Sequence, residues 1–374
     1  MRRPRAAFTV FLLAITLATG CTGDRTERPA TPQPTLAAES EECRELDELV
    51  ARTRRGYVPG RSAEISPIPR EPNYIGKAEL PVHTGPWDYL AEVPLVIYGP
   101  GVVGRRGTVE RPTTLADLAA MTADLIGHRT FSAPDGRPDP ELPGSGEPPR
   151  VVVTLVWDGA GWNTLEAHPG RWPTLKRLSE AGVSYTKATI GSTPSNTPPI
   201  HTTIGTGAFP RTHGIPHVKM RTASGAYVDP FEGDDASEVK VNTLGDDYDR
   251  ARDELPHIGV VATVNWHLGM IGHGAELTGA DRDIAVLLND QGLTYGNNDF
   301  YDIPPVADPV ALDEATTDLD RTDGAADGDW NEDDLSDPAL RYATPAFTDY
   351  QQGVLERTSR PRASAPMTFP ISCT

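Results

Sequence analysis

The sequence predicts an α/β protein with a doubly wound, mostly parallel sheet, and three observations point to this fold class. Val151 to Trp157 is an unbroken apolar run around Thr154, typical of a parallel strand that is buried on both faces. From there on, strand-like and helix-like patterns alternate along the chain, which favours parallel strands joined by helices. The length of 374 residues and the apolar content of 38% allow one large domain or two with a real core.

The composition excludes several other classes of protein. Asp and Glu number 53 against 34 Lys and Arg, a net charge of -19, so we expect no binding of a nucleic-acid polymer by bulk electrostatics. The 3 cysteines are too few for a disulfide scaffold or a thiolate zinc cluster. With 35 Gly and 36 Pro, loops and tethers must occupy much of the length. A small secreted knot and a multi-span membrane protein are excluded as well.

The first residues carry a targeting signal. Three arginines precede an apolar run, Ala6 to Ala18, that is too short to span a bilayer comfortably. The run ends in Leu17-Ala18-Thr19-Gly20-Cys21, which resembles the lipobox of bacterial lipoproteins, although a larger aliphatic residue is usual where Ala18 stands. We therefore expect residues 1–21 to be a lipoprotein signal peptide with Cys21 lipidated.

A lipid on Cys21 would anchor the chain to the outer face of the cytoplasmic membrane, in the cell envelope. Ordinary secretion with cleavage nearby is the alternative. Residues 22–43 begin with a stretch rich in Thr and Pro that cannot bury apolar surface, and they predict an extended tether. The folded domain is then expected over residues 44–374.

Local patterns predict the elements of the first part of this domain. Residues 44–55 are a short charged helix, and 56–80 carry Gly and Pro at close intervals, which predicts a loop. Val93 to Tyr98 is an apolar run stopped by Gly99-Pro100-Gly101, which predicts a strand entering a turn. Thr113 to Gly127 has apolar residues at helical spacing, with Gly127 as a C-cap, and 128–149 is a connection rich in Pro, Gly and Asp.

The second part follows the strand Val151 to Trp157. A helix is predicted over Trp172 to Ala181, a strand over Gly182 to Ala188, a helix over Pro198 to Gly205, a strand over Ile258 to Val264 and a helix over Thr344 to Arg357. Residues 308–337 are heavily acidic without the ligand spacing of a calcium loop, which favours a solvated surface insertion. Residues 363–374 match neither a strand nor a helix.

Two positions on this framework suggest chemistry. Asp158 follows the buried strand, at the edge where α/β proteins bind ligands, although such an Asp often only caps a turn. Thr197 stands just before Pro198, a residue favoured in the first turn of a helix. Its hydroxyl would therefore lie at a helix N-terminus, where free N–H groups favour an oxyanion; a plain Thr N-cap is the structural alternative.

The combined motifs resemble the alkaline phosphatase superfamily, closest to its nucleotide pyrophosphatase/phosphodiesterase-like branch. The shared features are a strand ending in Asp158-Gly159, the Pro173-Thr174-Leu175-Lys176-Arg177-Leu178 segment, and Thr197 nine residues before the Thr206-Gly207 pair. The resemblance implies an α/β/α sandwich with a mostly parallel central sheet. It also implies that Asp158 is a metal ligand and that Thr197 is both a ligand and the nucleophile. Sulfatase chemistry is disfavoured because Thr197 cannot be converted to formylglycine.

By this resemblance the chain hydrolyses small phosphate monoesters or diesters. Two divalent cations, with zinc as the expected metal, lower the pKa of the Thr197 hydroxyl and clamp a phosphoryl oxygen. Thr197 then forms a phospho-threonine that water hydrolyses. The rival interpretation is a degenerate, catalytically dead phosphatase fold that acts, if at all, as a surface binding module.

A second match precedes the nucleophile instead of following it. His83-Thr84-Gly85, the Val93-Pro94-Leu95 strand and Leu115-Ala116-Asp117 resemble the end of a superfamily catalytic domain, where a His-x-Gly supplies a zinc ligand. The resemblance, which covers residues 56–127 and 150–285, thus implies a circularly permuted domain with His83 as a metal ligand.

Part of the family pattern is missing. The superfamily supplies further ligands in Asp-x-x-x-His and Asp-His-Gly; after Thr197 no Asp-His-Gly occurs, and the first spacing is found only at Asp253 and His257, directly before the strand predicted at Ile258. His267 and His273 are the nearby alternatives for contacts with metal or substrate, and His217 stands close to where the family places a phosphate-binding Asn. Read one base over with GC-rich codons, residues 363–374 can encode an acidic turn and a strand, so a frameshift that truncates the domain is a further hypothesis.

Overall fold

A computed structural model describes residues 41–71, 73, 84–274, 282–359 and 367–373, and only the backbone of 41–45 and 367–373. The chain divides into two compact units, 1–44 and 45–374, and the second contains the sheets and the site. Among the helices in the described ranges, none combines the length and the apolar character needed to cross a membrane. The predicted signal peptide with Cys21, and His83, lie outside the described residues.

The helices and strands of the described residues are as follows. The helices are α1 (Glu41–Gly56), α2 (Asp88–Ala91), α3 (Asp117–Leu125), α4 (Trp162–Ala167), α5 (Pro173–Ala181), α6 (Thr197–Thr206), α7 (Pro210–His213), α8 (Leu244–Arg250), α9 (Pro309–Asp320), α10 (Pro338–Tyr342), α11 (Pro345–Thr358) and a 3₁₀ helix at Asn265–Met270. The strands are β1 (Leu95–Ile97), β2 (Gly107–Val109), β3 (Thr113–Thr114), β4 (Val153–Trp157), β5 (Val183–Tyr185), β6 (Ala188–Thr189), β7 (Met220–Arg221), β8 (Tyr227–Val228), β9 (His257–Ala262), β10 (Ile284–Leu288), β11 (Thr294–Tyr295), β12 (Asp329–Trp330), β13 (Asp333–Asp334) and β14 (Met367–Cys373).

Most of the predicted elements are confirmed, with ends shifted by a few residues. The predicted helices at 44–55, 172–181, 198–205 and 344–357 correspond to α1, α5, α6 and α11, and the predicted strands at 93–98 and 258–264 to β1 and β9. The helix predicted from Thr113 begins only at Asp117, because Thr113 and Thr114 pair in parallel with Ala188 and Thr189. Gly127 follows this helix with a φ of 73°, as a C-terminal glycine does.

The central sheet has the strand order β11-β10-β9-β14-β4. The neighbours β10, β9, β14 and β4 run parallel, and only β11 is antiparallel. Helices α9 and α11 pack on one face of β9 and β10, where Val261 and Val286 contact Phe347 and Val354. The opposite face carries a second buried cluster around Val260, Leu287 and the 3₁₀ helix. This α/β architecture with a mostly parallel sheet confirms the predicted fold class.

The prediction that Val151 to Trp157 is buried on both faces is wrong. Strand β4 is the edge strand of the sheet, and the side chains of Val153 and Leu155 are each 55% exposed. Leu155 pairs with Ile371, and Ile371 pairs with Val261, so Val153 and Leu155 lie on the same face of the sheet as Val261. Helices α9 and α11 cover this face at β9 and β10. Since those helices lie over β9 and β10, this face of β4 remains open in the described part of the chain.

The prediction that residues 363–374 form neither strand nor helix is also wrong. Residues 367–373 are β14, which lies between β9 and β4 and pairs in parallel with both. Val153 pairs with Phe369, and Ile258 with Thr368. The sheet therefore depends on this strand, because β4 is joined to β9 only through it.

The segment from 84 to 127 packs beside the segment that leads to α6. Strands β1 and β2 flank β5, antiparallel and parallel respectively. The Ile190 N–H donates to the Ala91 carbonyl oxygen at 2.9 Å, and the Val93 N–H to that of Ala188 at 3.0 Å. The two segments that carry the family-like motifs are therefore neighbours in space.

The acidic segment 308–337 has secondary structure of its own. Its helix α9 packs on the central sheet through the buried Leu312, and Leu319 packs against Leu335 and Ala346. Its carboxylates are mostly exposed, among them those of Asp313, Asp318 and Asp329. The segment is thus a charged surface on a helix that contributes to the core.

Candidate functional site

The site lies at the carboxyl end of the parallel strands. Asp158 directly follows β4, and the 3₁₀ helix that carries His267 follows β9, so both residues stand at the same edge of the sheet. Thr197 is the first residue of α6, as the position of Pro198 predicts. This edge is where α/β proteins commonly bind their ligands.

Asp158 and Thr197 contact each other directly. The Thr197 hydroxyl donates a hydrogen bond to Asp158 Oδ2 over 2.7 Å. Both residues are partly buried, so each keeps some exposure to solvent. This hydrogen bond directs the hydroxyl hydrogen of Thr197 toward the carboxylate. The lone pairs of the Thr197 oxygen are therefore left to face a substrate.

His201 joins this pair from the same helix. It follows Thr197 by four residues on α6, and side chains at this spacing share one face of a helix. Its Nε2 lies 3.8 Å from Asp158 Oδ2, and only 3% of the residue is exposed. His201 was not among the predicted site residues, although its i, i+4 relationship to Thr197 on a predicted helix could have indicated it.

His267 lies against His201. Their Nδ1 atoms are 2.6 Å apart and their ring centroids 4.5 Å apart. Burial, reinforced by the nearby His201, holds the pKa of His267 well below its usual value, so this imidazole is neutral. Because a hydrogen bond needs one donor and one acceptor, one Nδ1 donates to the other, and the second nitrogen of His267, Nε2, is buried without a hydrogen-bond partner.

A close approach of two backbones brings the histidines together. A Cβ on Gly205 of α6 would lie 2.4 Å from the Gly269 carbonyl oxygen, and a Cβ on Gly269 would lie 2.2 Å from Thr202 Oγ1. Only glycine therefore lets α6 and the 3₁₀ helix pack at this distance. His201 and His267 project from these two helices one turn or less from the contact.

The donor atoms fit a divalent cation. One atom each of Asp158, His201 and His267 lie within 4.8 Å of one another. A carboxylate oxygen with two imidazole nitrogens is a ligand set that zinc and similar transition metals accept. The unpartnered Nε2 of His267 fits the same interpretation, because buried polar atoms normally have a partner.

The loop before Thr197 is held from two sides. The Gly85 N–H donates to Ser195 Oγ at 3.3 Å. On the other side, the Thr193 N–H donates to the carbonyl oxygen of Arg52 in α1 at 3.1 Å. The buried Arg52 guanidinium in turn donates to Pro86 O and to Asp88 Oδ1, so α1 ties the segment after Gly85 to the same loop.

His213 packs against α6 and forms a hydrogen bond with its backbone. Its Nε2 donates to the Pro199 carbonyl oxygen at 3.1 Å, and its Nδ1 accepts from the Ile215 N–H at 3.2 Å. Complete burial lowers the pKa of His213 to about 3, although the bond to Pro199 favours the protonated form. His213 is therefore a neutral structural residue.

The other predicted site residues are not gathered here. His273 contacts Asp246 Oδ2 through Nδ1 at 3.0 Å and Val239 O through Nε2 at 3.1 Å, so both ring nitrogens have protein partners. His217 is exposed in the loop that follows α7. His83, predicted as a metal ligand, lies outside the described residues, and the structure describes the chain again from Thr84.

Comparison with known proteins agrees with the motifs. The family model of type I phosphodiesterase / nucleotide pyrophosphatase matches residues 152–351, more than half of the chain. The chain thus belongs to this family, a branch of the alkaline phosphatase superfamily, and the family supports a phosphoester hydrolase in general terms. No curated protein and no solved structure matches the chain significantly.

Proposed function

We propose that the protein hydrolyses small phosphate monoesters or diesters through a covalent phospho-threonine on Thr197. The observation that carries the proposal is the 2.7 Å hydrogen bond from the Thr197 hydroxyl to Asp158 Oδ2 at the start of α6. The nucleophile Thr197 and the proton acceptor Asp158 thus lie together at the N-terminus of α6. Helix N-termini attract phosphate groups, because their N–H groups are free and the helix dipole is positive there.

The reaction follows from these positions. Asp158 orients the Thr197 hydroxyl and takes its proton as Thr197 Oγ1 attacks phosphorus in line. The bond from phosphorus to the leaving oxygen breaks, and the leaving oxygen takes up a proton from solvent. Water then attacks the phospho-threonine and releases a proton to solvent, the bond between phosphorus and Thr197 Oγ1 breaks, and Thr197 Oγ1 regains its proton from Asp158.

Divalent cations belong to this proposal. We propose two, with zinc as the first candidate, held by Asp158, Thr197 and His83. When bound they would supply Lewis acidity that lowers the pKa of the hydroxyl and stabilises the charge on the phosphoryl oxygens. The hydrogen bond between Gly85, two residues after His83, and Ser195, two residues before Thr197, supports including His83.

The cellular location is a further part of the proposal. A lipid on Cys21 would hold the enzyme at the outer face of the cytoplasmic membrane, where it would act on phosphate esters outside the cytoplasm. Metabolic labelling with an alkyne fatty acid tests this: label should attach to the wild type and not to Cys21→Ser. Equal labelling of both proteins would exclude the anchor.

The central experiment compares Thr197→Ala with the wild type. The full chain, loaded with zinc, is assayed on p-nitrophenyl phosphate and bis-p-nitrophenyl phosphate. Loss of the nucleophile should reduce turnover by at least about 1000-fold, and a rapid acid quench should trap one phosphoryl group on wild-type Thr197. Thr317→Ala, an exposed threonine on α9, is the matched control and should keep full turnover.

Two results would reject the proposal. If Thr197→Ala hydrolyses both esters like the wild type, the nucleophile lies elsewhere. If the zinc-loaded wild type binds the esters but turns over neither, the chain is the binding module that the sequence also allows.

A further inference from the structure

We infer that His201 and His267, together with Asp158, form a cation site with two imidazole ligands. These histidines lie outside the ligand motifs that the family resemblance implies. The inference deepens the proposed function, on which its catalytic meaning rests, whereas cation binding itself can be measured without turnover.

The fold brings the two rings together. Gly205 and Gly269 allow backbone contact between α6 and the 3₁₀ helix, and a side chain at either position would force the helices apart. The result is two imidazoles whose Nδ1 atoms are 2.6 Å apart, in a place where only 3% and 0% of the two residues are exposed. Metal ligands need this preorganisation.

Hydrogen bonds within the described residues leave one ring nitrogen, Nε2 of His267, unsatisfied. Two neutral imidazoles can share one proton between their Nδ1 atoms, but His267 Nε2 then remains buried without a hydrogen-bond partner. A cation bound by His267 would therefore use a ring nitrogen for which the described residues supply no partner.

The charge of Asp158 also favours a cation here. Asp158 is partly buried, and its described contacts are the neutral Thr197 hydroxyl and His201 Nε2 at 3.8 Å. Among the described residues, no lysine or arginine forms an ion pair with this carboxylate. A divalent cation held by this carboxylate and the two imidazoles would place a positive charge beside Asp158.

The test is direct cation binding by the full chain. After removal of metals with a chelator, the protein is titrated with Co²⁺, whose visible absorption reports the number and kind of ligands. We expect the first equivalent to give the intense absorption of a site with nitrogen ligands. His201→Gln and His267→Gln should each weaken this binding by at least about tenfold and change the spectrum. His168→Gln, an exposed histidine at the end of α4, is the matched control and should bind like the wild type.

A measurement on the wild type covers the case in which the buried variants fail to fold. With one equivalent of Zn²⁺, X-ray absorption fine structure counts the imidazoles around the metal. Two imidazoles are expected. A count of one or none, or cobalt spectra and affinities that both Gln variants leave unchanged, overturns the inference.

Turnover of bis-p-nitrophenyl phosphate on the same samples separates the two proposals. Cobalt held by the histidines without any turnover contradicts the proposed function and leaves the cation site intact. Turnover together with unchanged cobalt binding in the Gln variants contradicts the cation site and leaves the proposed function intact.

Discussion

Gly56, at the end of α1, lies directly against Thr193 in the loop that precedes the nucleophile. A Cβ at position 56 would lie 1.7 Å from the Thr193 carbonyl oxygen, far inside van der Waals contact. The Thr193 N–H meanwhile donates to the Arg52 carbonyl oxygen one turn earlier in the same helix. Helix α1 thus positions the loop that leads into α6 and to Thr197.

The first prediction follows from this contact. Gly56→Ala should push α1 away from the loop and lower the free energy of unfolding by about 1–3 kcal/mol, with a loss of turnover because Thr197 shifts with the loop. Chemical denaturation and the p-nitrophenyl phosphate assay measure both effects. Gly353→Ala is the control: it lies within α11 with only the Arg357 guanidinium nearby, and alanine there should be neutral or slightly stabilising. Equal stability of the two variants would show that the loop tolerates the displacement.

A second prediction concerns the hydroxyl group itself. Thr197→Ser keeps the oxygen and its hydrogen bond to Asp158 Oδ2 and loses only a methyl group, so turnover should stay within about tenfold of the wild type. Thr197→Val keeps the shape of the side chain without the oxygen and should be inactive. Steady-state kinetics on both variants check this. An active Val variant, or a Ser variant as inactive as Val, would contradict the role of the hydroxyl.

The third prediction is a pH dependence of stability. Unfolded histidine takes up a proton near pH 6.5, whereas burial holds the pKa of His213 at about 3 in the folded protein. Between these values the unfolded chain binds a proton that the folded chain does not, so stability falls as the pH falls. The contribution of His213 is complete above pH 6.5 and declines by up to about 1.4 kcal/mol per pH unit below it.

Urea unfolding at several pH values between 4 and 7 measures this slope. His213→Gln removes the titrating group, so its stability should depend on pH less steeply by about that amount, whatever its absolute stability. His168→Gln, which removes an exposed histidine, should keep the wild-type slope. A slope that His213→Gln leaves unchanged would assign the acid sensitivity to other groups.

The fourth prediction tests the position of β4 at the edge of the sheet. Leu155→Thr replaces a side chain that is 55% exposed and should cost less than about 1 kcal/mol, whereas Val260→Thr places a hydroxyl in the fully buried strand β9 and should cost about 2 kcal/mol. Denaturant midpoints for the two variants give the comparison. A large loss of stability from Leu155→Thr would mean that this face of β4 is covered.

Prediction from the sequence succeeded where local chemistry decides the structure. Pro198 favours the first turn of a helix, so the start of α6 at Thr197 could be predicted from a few residues. Asp158 could be placed beside it because the ends of parallel strands share one edge. Both inferences depend on short stretches of chain, and the family match over residues 152–351 agrees with them.

The sequence-based predictions failed where contacts between distant parts of the chain determine the structure. The apolar run of β4 does not specify how many strands or helices lie beside it, and its exposed face follows from the positions of α9 and α11 over other strands. Pro370 argues locally against a strand in the middle of a sheet, yet it pairs with Thr154 in β14. The contact of His201 with His267 depends on the close approach at Gly205 and Gly269, a tertiary fact that no local pattern contains.

The position of β14 determines how the molecule can acquire its sheet. Phe369 pairs with Val153, and Thr368 with Ile258, so the strand that joins β4 to β9 follows both of them by more than 100 residues in the sequence. Until residues 367–373 arrive, β4 and β9 each present an unpaired edge, and the pairing that joins them has a very long sequence separation. Such non-local pairing makes folding slow. Until the pairing forms, the unpaired strand edges can associate with other chains. Assembly of the central sheet must therefore follow synthesis of residues 367–373, and chains that have not yet reached them are the species most exposed to aggregation.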